Sequence, residues 1–272
     1  MLKKLNVSRS GYYDYINRKP SKTKQRREEI TKRVKEIHEE SHEIYGSPKI
    51  TQILNKEGEN VSQKYIHSIM KESNIKAKYI KPWTKTTISH DFSSKLENLL
   101  NRHFNPIKPD CAWCTDITYI WTYEDGFVYL TSVMDLFSRK IISWVLTKTM
   151  DAESVLKCIE IAKDRRQSKN PIVIQSDRGV QYTSELYYKI TKCMIPSYSD
   201  KGTPWDNACI ESFHSLIKRE WLRDIKITNY GHAYRLVFEY IEGFYNTIRI
   251  HSHCNYESPV QYEKQYWLNM TT

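Results

Sequence analysis

Ile30, Val34 and Ile37 recur at helical spacing in a charged stretch without Gly or Pro, which predicts an amphipathic helix over 21–43. Residues 1–20 hold only a short apolar and tyrosine pattern, Leu5, Val7, Tyr12, Tyr13 and Tyr15, ending at Pro20. Tyr45-Gly46-Ser47-Pro48 reads as a turn that opens a helix with Ile50, Ile53 and Leu54 on its apolar face, and Gly58 ends it. Ser62 is placed to cap a following helix, roughly 63–73, whose inward residues are Ile66, Ile69 and Met70. Two short helices with a tight Gly-containing link predict a helix-turn-helix over about 45–73. Its second helix turns Gln63, Lys64, His67, Ser68 and Lys71 outward. Residues 81–95, rich in Lys, Thr and Ser and lacking an apolar face, read as a linker.

From residue 111 the period changes from helix to strand. Strands are predicted at 112–120, 127–135 and 141–147, the first two joined at Glu124-Asp125-Gly126. A helix over 152–166 follows, then a short buried strand, 171–177, ending in Asp177. Further elements are a helix over 184–193, a strand over 194–199, a helix from about 207 to 222 capped by Asp206, and a helix over 229–247. The tail after Pro259 reads as irregular. The fold class is α/β: a mixed five-stranded sheet with flanking helices, preceded by a small helical domain. The division is 1–80 helical, 81–105 linker, 106–225 core and 226–272 helical extension.

Charge sharpens this division. The net charge of +10 is uneven: residues 1–100 carry 21 Lys+Arg against 12 Asp+Glu, and residues 101–272 carry 21 against 20. A basic front half on a neutral body suits a nucleic-acid handle, although a solvated Lys-rich surface has the same composition. Outward side chains on the second helix of a helix-turn-helix, Lys64, His67 and Lys71 among them, can reach bases and phosphates in a major groove. No apolar run approaches the ~18 residues of a membrane span, and the N-terminus lacks a signal-like apolar core, so a soluble intracellular protein is expected. The six cysteines are scattered. Cys111-Ala112-Trp113-Cys114 and His251-Ser252-His253-Cys254 have ligand-like spacing, but no second pair completes either, and a structural zinc is the weaker reading.

Three acids stand out. Asp116 interrupts an apolar strand, Asp177 ends another, and Glu211 follows a helix start. An acid in a buried strand is costly unless it is paired or binds metal. Carboxylates converging from three elements suit hard cations, magnesium or manganese. Two such ions ~4 Å apart can serve both the attacking and the leaving oxygen of a phosphoryl displacement. On the Glu211 helix, Ile210, Phe213, Leu216 and Ile217 form the buried stripe, and Glu211, Ser215 and Lys218 share another face. Each acid alone can also be read as a surface residue or an ion-pair partner, Glu211 more readily than Asp116.

The words around the acids add to this. Trp113-Cys114-Thr115-Asp116-Ile117-Thr118-Tyr119, Ser176-Asp177-Arg178-Gly179 through Ser184, and Asp206-Asn207-Ala208 through Glu211-Ser212-Phe213 closely resemble the DDE motifs of the OrfB-type transposases of the IS-three family of bacterial insertion sequences, in the retroviral integrase superfamily. Tyr45-Gly46, the stretch 66–71, Asp135 through Lys140, and Tyr245 through His251 resemble further signatures of that family. The resemblance implies an RNase H-like core and DNA strand cleavage and transfer at element ends, with Asp116, Asp177 and Glu211 as catalytic metal ligands for two Mg2+ (or Mn2+) ions. It implies that Lys218 contacts DNA ends. It also implies partners: double-stranded DNA at element ends and target, further copies of the chain, and a fusion partner from an upstream frame. The place would be the bacterial cytoplasm, at the nucleoid. Here 33 residues separate Asp177 from Glu211, fewer than is usual in the family, Gln175 stands where histidine is common, and Asp200 where a basic residue is usual. A catalytically impaired DNA-binding accessory subunit is the second reading, and an RNase H-like nuclease the third.

Overall fold

The computed structural model describes residues 8–17, 19–78, 96–168, 170–200 and 202–271. The chain divides into two compact units, Met1–Tyr79 and Ile80–Thr272. The linker reading of 81–95 lies outside the described residues, as do Leu5 and Val7.

The described residues of the first unit form four helices: α1 (Arg9–Ile16), α2 (Lys22–Glu40), α3 (Ser47–Lys56) and α4 (Gln63–Glu72). Ser21 Oγ caps α2 through the Lys24 N–H, and Ser62 Oγ caps α4 through the Tyr65 N–H. The stripes Ile30/Val34/Ile37, Ile50/Leu54 and Ile66/Ile69/Met70 are buried against one another. The α3–α4 link shows why a glycine is needed at 58. Its φ is +97°, and the Glu59 and Gly58 N–H groups return to the carbonyls of Leu54 (2.9 Å) and Asn55 (3.2 Å), closing a Schellman turn. Asn55 Oδ1 then accepts from the Val61 N–H at 3.0 Å and sets the entry to α4. Gln63, Lys64, His67 and Lys71 are exposed on α4, as the pattern predicts. Ser68 differs: it donates to Glu72 at 2.9 Å, and Glu72 is gripped by Arg27 of α2 at 2.7 and 2.8 Å.

The second unit is built on β1 (Ala112–Thr122), β2 (Gly126–Asp135), β3 (Ile141–Thr147), β4 (Val173–Ser176) and β5 (Ile195–Tyr198). The sheet order is β3-β2-β1-β4-β5. β1, β2 and β3 form an antiparallel meander, and β4 and β5 add in parallel on the other side of β1. This is the RNase H-like arrangement. Helix α5 (Ala152–Arg166) returns the chain from β3 to β4 and packs Val155, Cys158, Ile159 and Ala162 with Trp113, Val133 and Ile174 of the sheet. The remaining helices are α6 (Glu185–Ile190), α7 (Ala208–Ile217), α8 (Tyr230–Phe238) and α9 (Pro259–Thr271). α7 and α8 continue in wider π-type turns over Lys218–Leu222 and Glu239–Tyr245.

Two sequence readings need correction. The tail after Pro259 is a helix, α9, not irregular structure. Its Glu263 is buried and receives Ser138 Oγ (2.7 Å), Lys140 Nζ (3.0 Å) and Arg166 (2.5 and 3.1 Å), a long-range anchor that no local pattern displays. Asp206 does not cap α7. It is buried in the preceding 3-10 turn, Pro204–Asn207, where Arg102 Nε (2.6 Å), Asn98 Nδ2 (2.9 Å) and the Asp200 N–H (2.9 Å) donate to it. The ligand-like cysteine and histidine stretch at 251–254 also has a structural use: Cys254 Sγ and His253 Nε2 bond the carbonyls of Ser138 and Phe137 at 3.1 and 2.9 Å.

Arg166 sits among Asp110 (3.3 Å), Asp135 (3.4 Å) and Glu263. Burial pushes the Asp135 carboxyl up to about 7 despite this arginine. Removing the cation leaves several acids in a dry environment. Arg166→Met is therefore expected to destabilise the protein by about 3–5 kcal/mol, read from urea unfolding. A loss below about 1 kcal/mol, the scale of an exposed pair, would show the network to be solvated.

Candidate active site

β1 pairs with β2 along its whole length but with β4 only over 112–114, the last parallel pair being Cys114 and Gln175. Two residues further on each strand stand Asp116 and Asp177. The register thus delivers both acids to the same level where the two parallel strands part, Asp177 just past the carboxyl end of β4 and Asp116 midway along β1, which runs on to Thr122. The parting opens a crevice beside β1, of the kind in which open α/β sheets place their ligands.

Local bonds hold the two acids differently. Asp177 Oδ1 accepts the Gly179 N–H at 2.9 Å. A Cβ on Gly179 would lie 3.0 Å from that same oxygen and 3.1 Å from Gln181 Oε1, so a larger residue there would press on the carboxylate. The neighbouring Arg178 points away from the acids: its guanidinium donates to the carbonyls of Ser199 (2.7 Å) and Leu96 (3.0 Å). Asp116 is approached by His214 Nδ1 of α7 at 3.4 Å, and His214 Nε2 lies 3.4 Å from Ser132 Oγ on β2. Asp116 and Ser132 are register partners, so the imidazole bridges two adjacent strands.

Helix α7 is fixed to β1 through Asn207, whose Nδ2 donates to the Thr115 carbonyl at 3.2 Å. Ile210, Phe213 and Ile217 are its buried stripe, with Leu216 only half-buried. Glu211 lies exposed in its first turn. Lys218, two turns on, rests its ammonium 4.4 Å from the Tyr119 ring centroid. Burial lowers the Lys218 pKa and the Asp116 charge opposes that shift, which places this cation within the field of the acid.

The electrostatics of the pair are unfavourable. Asp177 is exposed by area, yet enough protein surrounds its carboxyl that burial, and after it the Asp116 charge, push its pKa up to about 6. Among the described residues, no group of three His, Cys, Asp or Glu is close enough to hold a metal ion. The fold brings Asp177 within reach of the Asp116 charge, and the three predicted acids do not together form a metal-holding group. An all-oxygen donor pair with excess negative charge fits a hard divalent cation.

Sequence reasoning missed His214 and Asn207. A signal for His214 was present: it lies four residues after Ile210 and three before Ile217, within the buried stripe. For Asn207 there was none, because its partner is a main-chain carbonyl 92 positions away.

Family models match two parts of the chain in succession: an HTH-like domain over residues 25–83 and an integrase core domain over 107–228, with a second integrase core model over 211–267. The chain is 34% identical over 251 residues to the transposase for insertion sequence element IS904 of Lactococcus lactis, covering 92% of this chain and 99% of that protein. It is 32% identical over 269 residues to transposase InsF of insertion sequence IS3A from Escherichia coli K12, covering 97% and 93%. It is 32% identical over 268 residues to a 31 kDa protein of insertion element IS600 from Shigella sonnei, covering 98% of each. Among solved structures, the HTLV-2 integrase catalytic core domain in complex with magnesium aligns at 16% identity with a TM-score of 0.43, covering 58% of this chain and 98% of that one.

The raised pKa of Asp177 has a stability consequence. Its folded value, about 6, lies above the unfolded ~3.9, so the native state binds the extra proton between those values. The ionised form destabilises the fold, and this penalty grows as pH rises from ~4 to 6 and is then constant. In the presence of a chelator, Asp177→Asn is expected to raise the melting temperature at about pH 8, with the gain disappearing near pH 4. An equal gain at both pH values would mean that the effect is not electrostatic.

Proposed function

The chain belongs to the IS-three family of insertion-sequence transposases, and we propose that it carries out DNA transposition with Asp116, Asp177 and Glu211 as the ligands of its catalytic metal. The observation that supports this reading best is the pairing of Asp116 and Asp177 at the parting of β1 and β4, with Asp177 held near 6 by burial and by its neighbour's charge. Two carboxylates kept in mutual repulsion on a packed sheet form a site whose electrostatic cost a cation relieves.

A bound pair of magnesium or manganese ions would supply Lewis-acid stabilisation to the attacking and leaving oxygens of the phosphodiester. The chain's own residues then divide the remaining work. Asp116 and Asp177 hold the site through main-chain positions fixed by the sheet. Glu211 completes the ligand set from the start of α7, the same helix that brings His214 against Asp116. His214 orients the Asp116 carboxylate through its bridge to Ser132. Lys218 receives a phosphate of the DNA end, on the face of α7 that already lies within the Asp116 field. In the first unit, Lys64, His67 and Lys71 are exposed on α4 and form the groove-facing side of the helix-turn-helix. DNA at element ends and at the target is the substrate. Joining two ends to one target calls for more than one copy of the chain, and an upstream-frame fusion would extend its grip on the ends.

Asp116→Asn and Glu211→Gln are each expected to reduce magnesium-dependent nicking and joining of element-end DNA to background while leaving DNA binding intact. The two steps are read on a sequencing gel and by mobility shift. Full joining by Glu211→Gln would remove it from the ligand set, and cleavage without any joined product would indicate a hydrolytic nuclease instead.

Phosphate contacts by the basic unit release counterions, so its DNA affinity is expected to fall steeply with salt. Each of Lys64→Ala and Lys71→Ala should lower the slope of log affinity against log salt by about one. Unchanged slopes would place the DNA path elsewhere than on α4.

A further inference from the structure

The hairpin of β1 and β2 extends past the acids and carries an aromatic ridge that the catalytic reading leaves unused. Tyr119, Trp121 and Phe127 are 53%, 54% and 46% exposed, and Tyr123 at the strand end is 62% exposed. Tyr119 and Trp121 alternate with buried residues and so share one face of β1, and Phe127 is the register partner of Trp121 across the hairpin. The same face further back along β1, at Trp113 and Ile117, is covered by the α5 core, whereas these rings have no such cover among the described residues. Soluble domains seldom leave a contiguous aromatic patch open without a use for it.

The rings hold one another in place. Phe127 meets Trp121 at 4.8 Å and Tyr119 at 5.2 Å between centroids, both edge to face. Ammonium groups flank the ridge: Lys218 lies 4.4 Å from the Tyr119 centroid, and Lys226 lies 4.5 Å from the Tyr123 centroid. The flanking charges are both positive, which favours a polyanion as the partner. A chain of alternating flat rings and phosphates matches it, because each base stacks on an aromatic face while its phosphate meets an ammonium. The bases of an intact duplex hide their ring faces in the stack, so only unpaired nucleotides offer them.

The ridge meets the site around the edge of β1. Tyr119 lies three residues beyond Asp116, about 10 Å at the usual strand rise, and so faces the other side of the strand, but among the described residues β1 has no β4 partner beyond Cys114 and its edge there is open. Lys218 belongs to both, being in the field of Asp116 and over Tyr119. We infer that the Tyr119–Trp121–Phe127 ridge with Tyr123 is a stacking subsite for unpaired nucleotides of the DNA strand held at the acids. This rests on the reading of the core as an enzyme acting on DNA ends.

The test compares full-length protein on two probes of mixed sequence, a blunt duplex and the same duplex with a short single-stranded overhang, by fluorescence anisotropy with magnesium replaced by calcium. Wild type is expected to prefer the overhang. The double variant Trp121→Ala/Tyr123→Ala should weaken overhang binding by about tenfold or more and leave blunt-duplex binding unchanged. Trp121→Phe/Tyr123→Phe should retain the preference, which separates stacking from folding, with circular dichroism melts checking all three proteins. Blunt and overhang binding that fall together, or an overhang preference that survives the alanines, overturns the subsite while leaving the DNA-end reading intact. Wild type that binds neither probe overturns both. Alanines that change sedimentation of the free protein but not overhang preference make the ridge an interface between copies, which also overturns the proposal.

Discussion

Asp116 and Asp177 repel each other, and the second unit is arranged so that neither can move away. Each is the second residue past the last β1–β4 pair, so the parallel register sets the level of both. The surrounding contacts keep the loops beyond that point in place. Gly179 leaves room for the Asp177 carboxylate, Arg178 ties the following loop to Ser199 and Leu96, and Asn207 joins α7 to the residue before Asp116. The result is a local cost carried by the packing of the rest, the usual relation between a site and its scaffold.

Other buried charges in this unit are used in the opposite sense. Arg166 with Glu263, Asp135 and Asp110, and Arg249 with Glu220 at 2.6 Å and Tyr240 on the same carboxylate, are paired ions that join elements far apart in the chain. They attach α9 and the segment after α8 to the sheet and to α7. Glu220 is buried in the stretch where α7 widens into π-type turns, a departure from regular helix that is common near functional sites. Arginine-paired acids therefore hold the core together, and the two acids that the described residues give no arginine partner mark the crevice. His214, packed between Asp116 and Ser132, is the link between the two groups, because it lies in the buried stripe of α7 and touches the site.

The first unit follows a simpler logic. Its three buried stripes, the serine caps at 8, 21 and 62 and the left-handed glycine at 58 are all local devices, and the stripes, the Ser62 cap and the stop at Gly58 were read from the sequence. The exposed lysines of α4 are the remainder after the apolar side is buried. Arg27 takes Glu72, and with it Ser68, out of the set of side chains available to a ligand.

The sequence by itself determined the periodicities. It located β1, β2, β3 and α5 to within about two residues, because apolar periodicity is a local property of the chain. It also singled out Asp116 and Asp177, since acids interrupting or ending apolar strands carry a visible solvation cost. Only the tertiary structure decided which side chains meet. Glu263 turns a tail without apolar periodicity into a helix through partners more than 90 positions away, and Asp206 gives up capping for Arg102 and Asn98. The equal level of Asp116 and Asp177 follows from parallel register, which depends on the whole βαβ crossover. So does the position of Glu211, set by the anchorage of α7 at Asn207 rather than by its spacing from Asp177. Local pattern records what each segment can bury; long-range pairing fixes which charges then face each other.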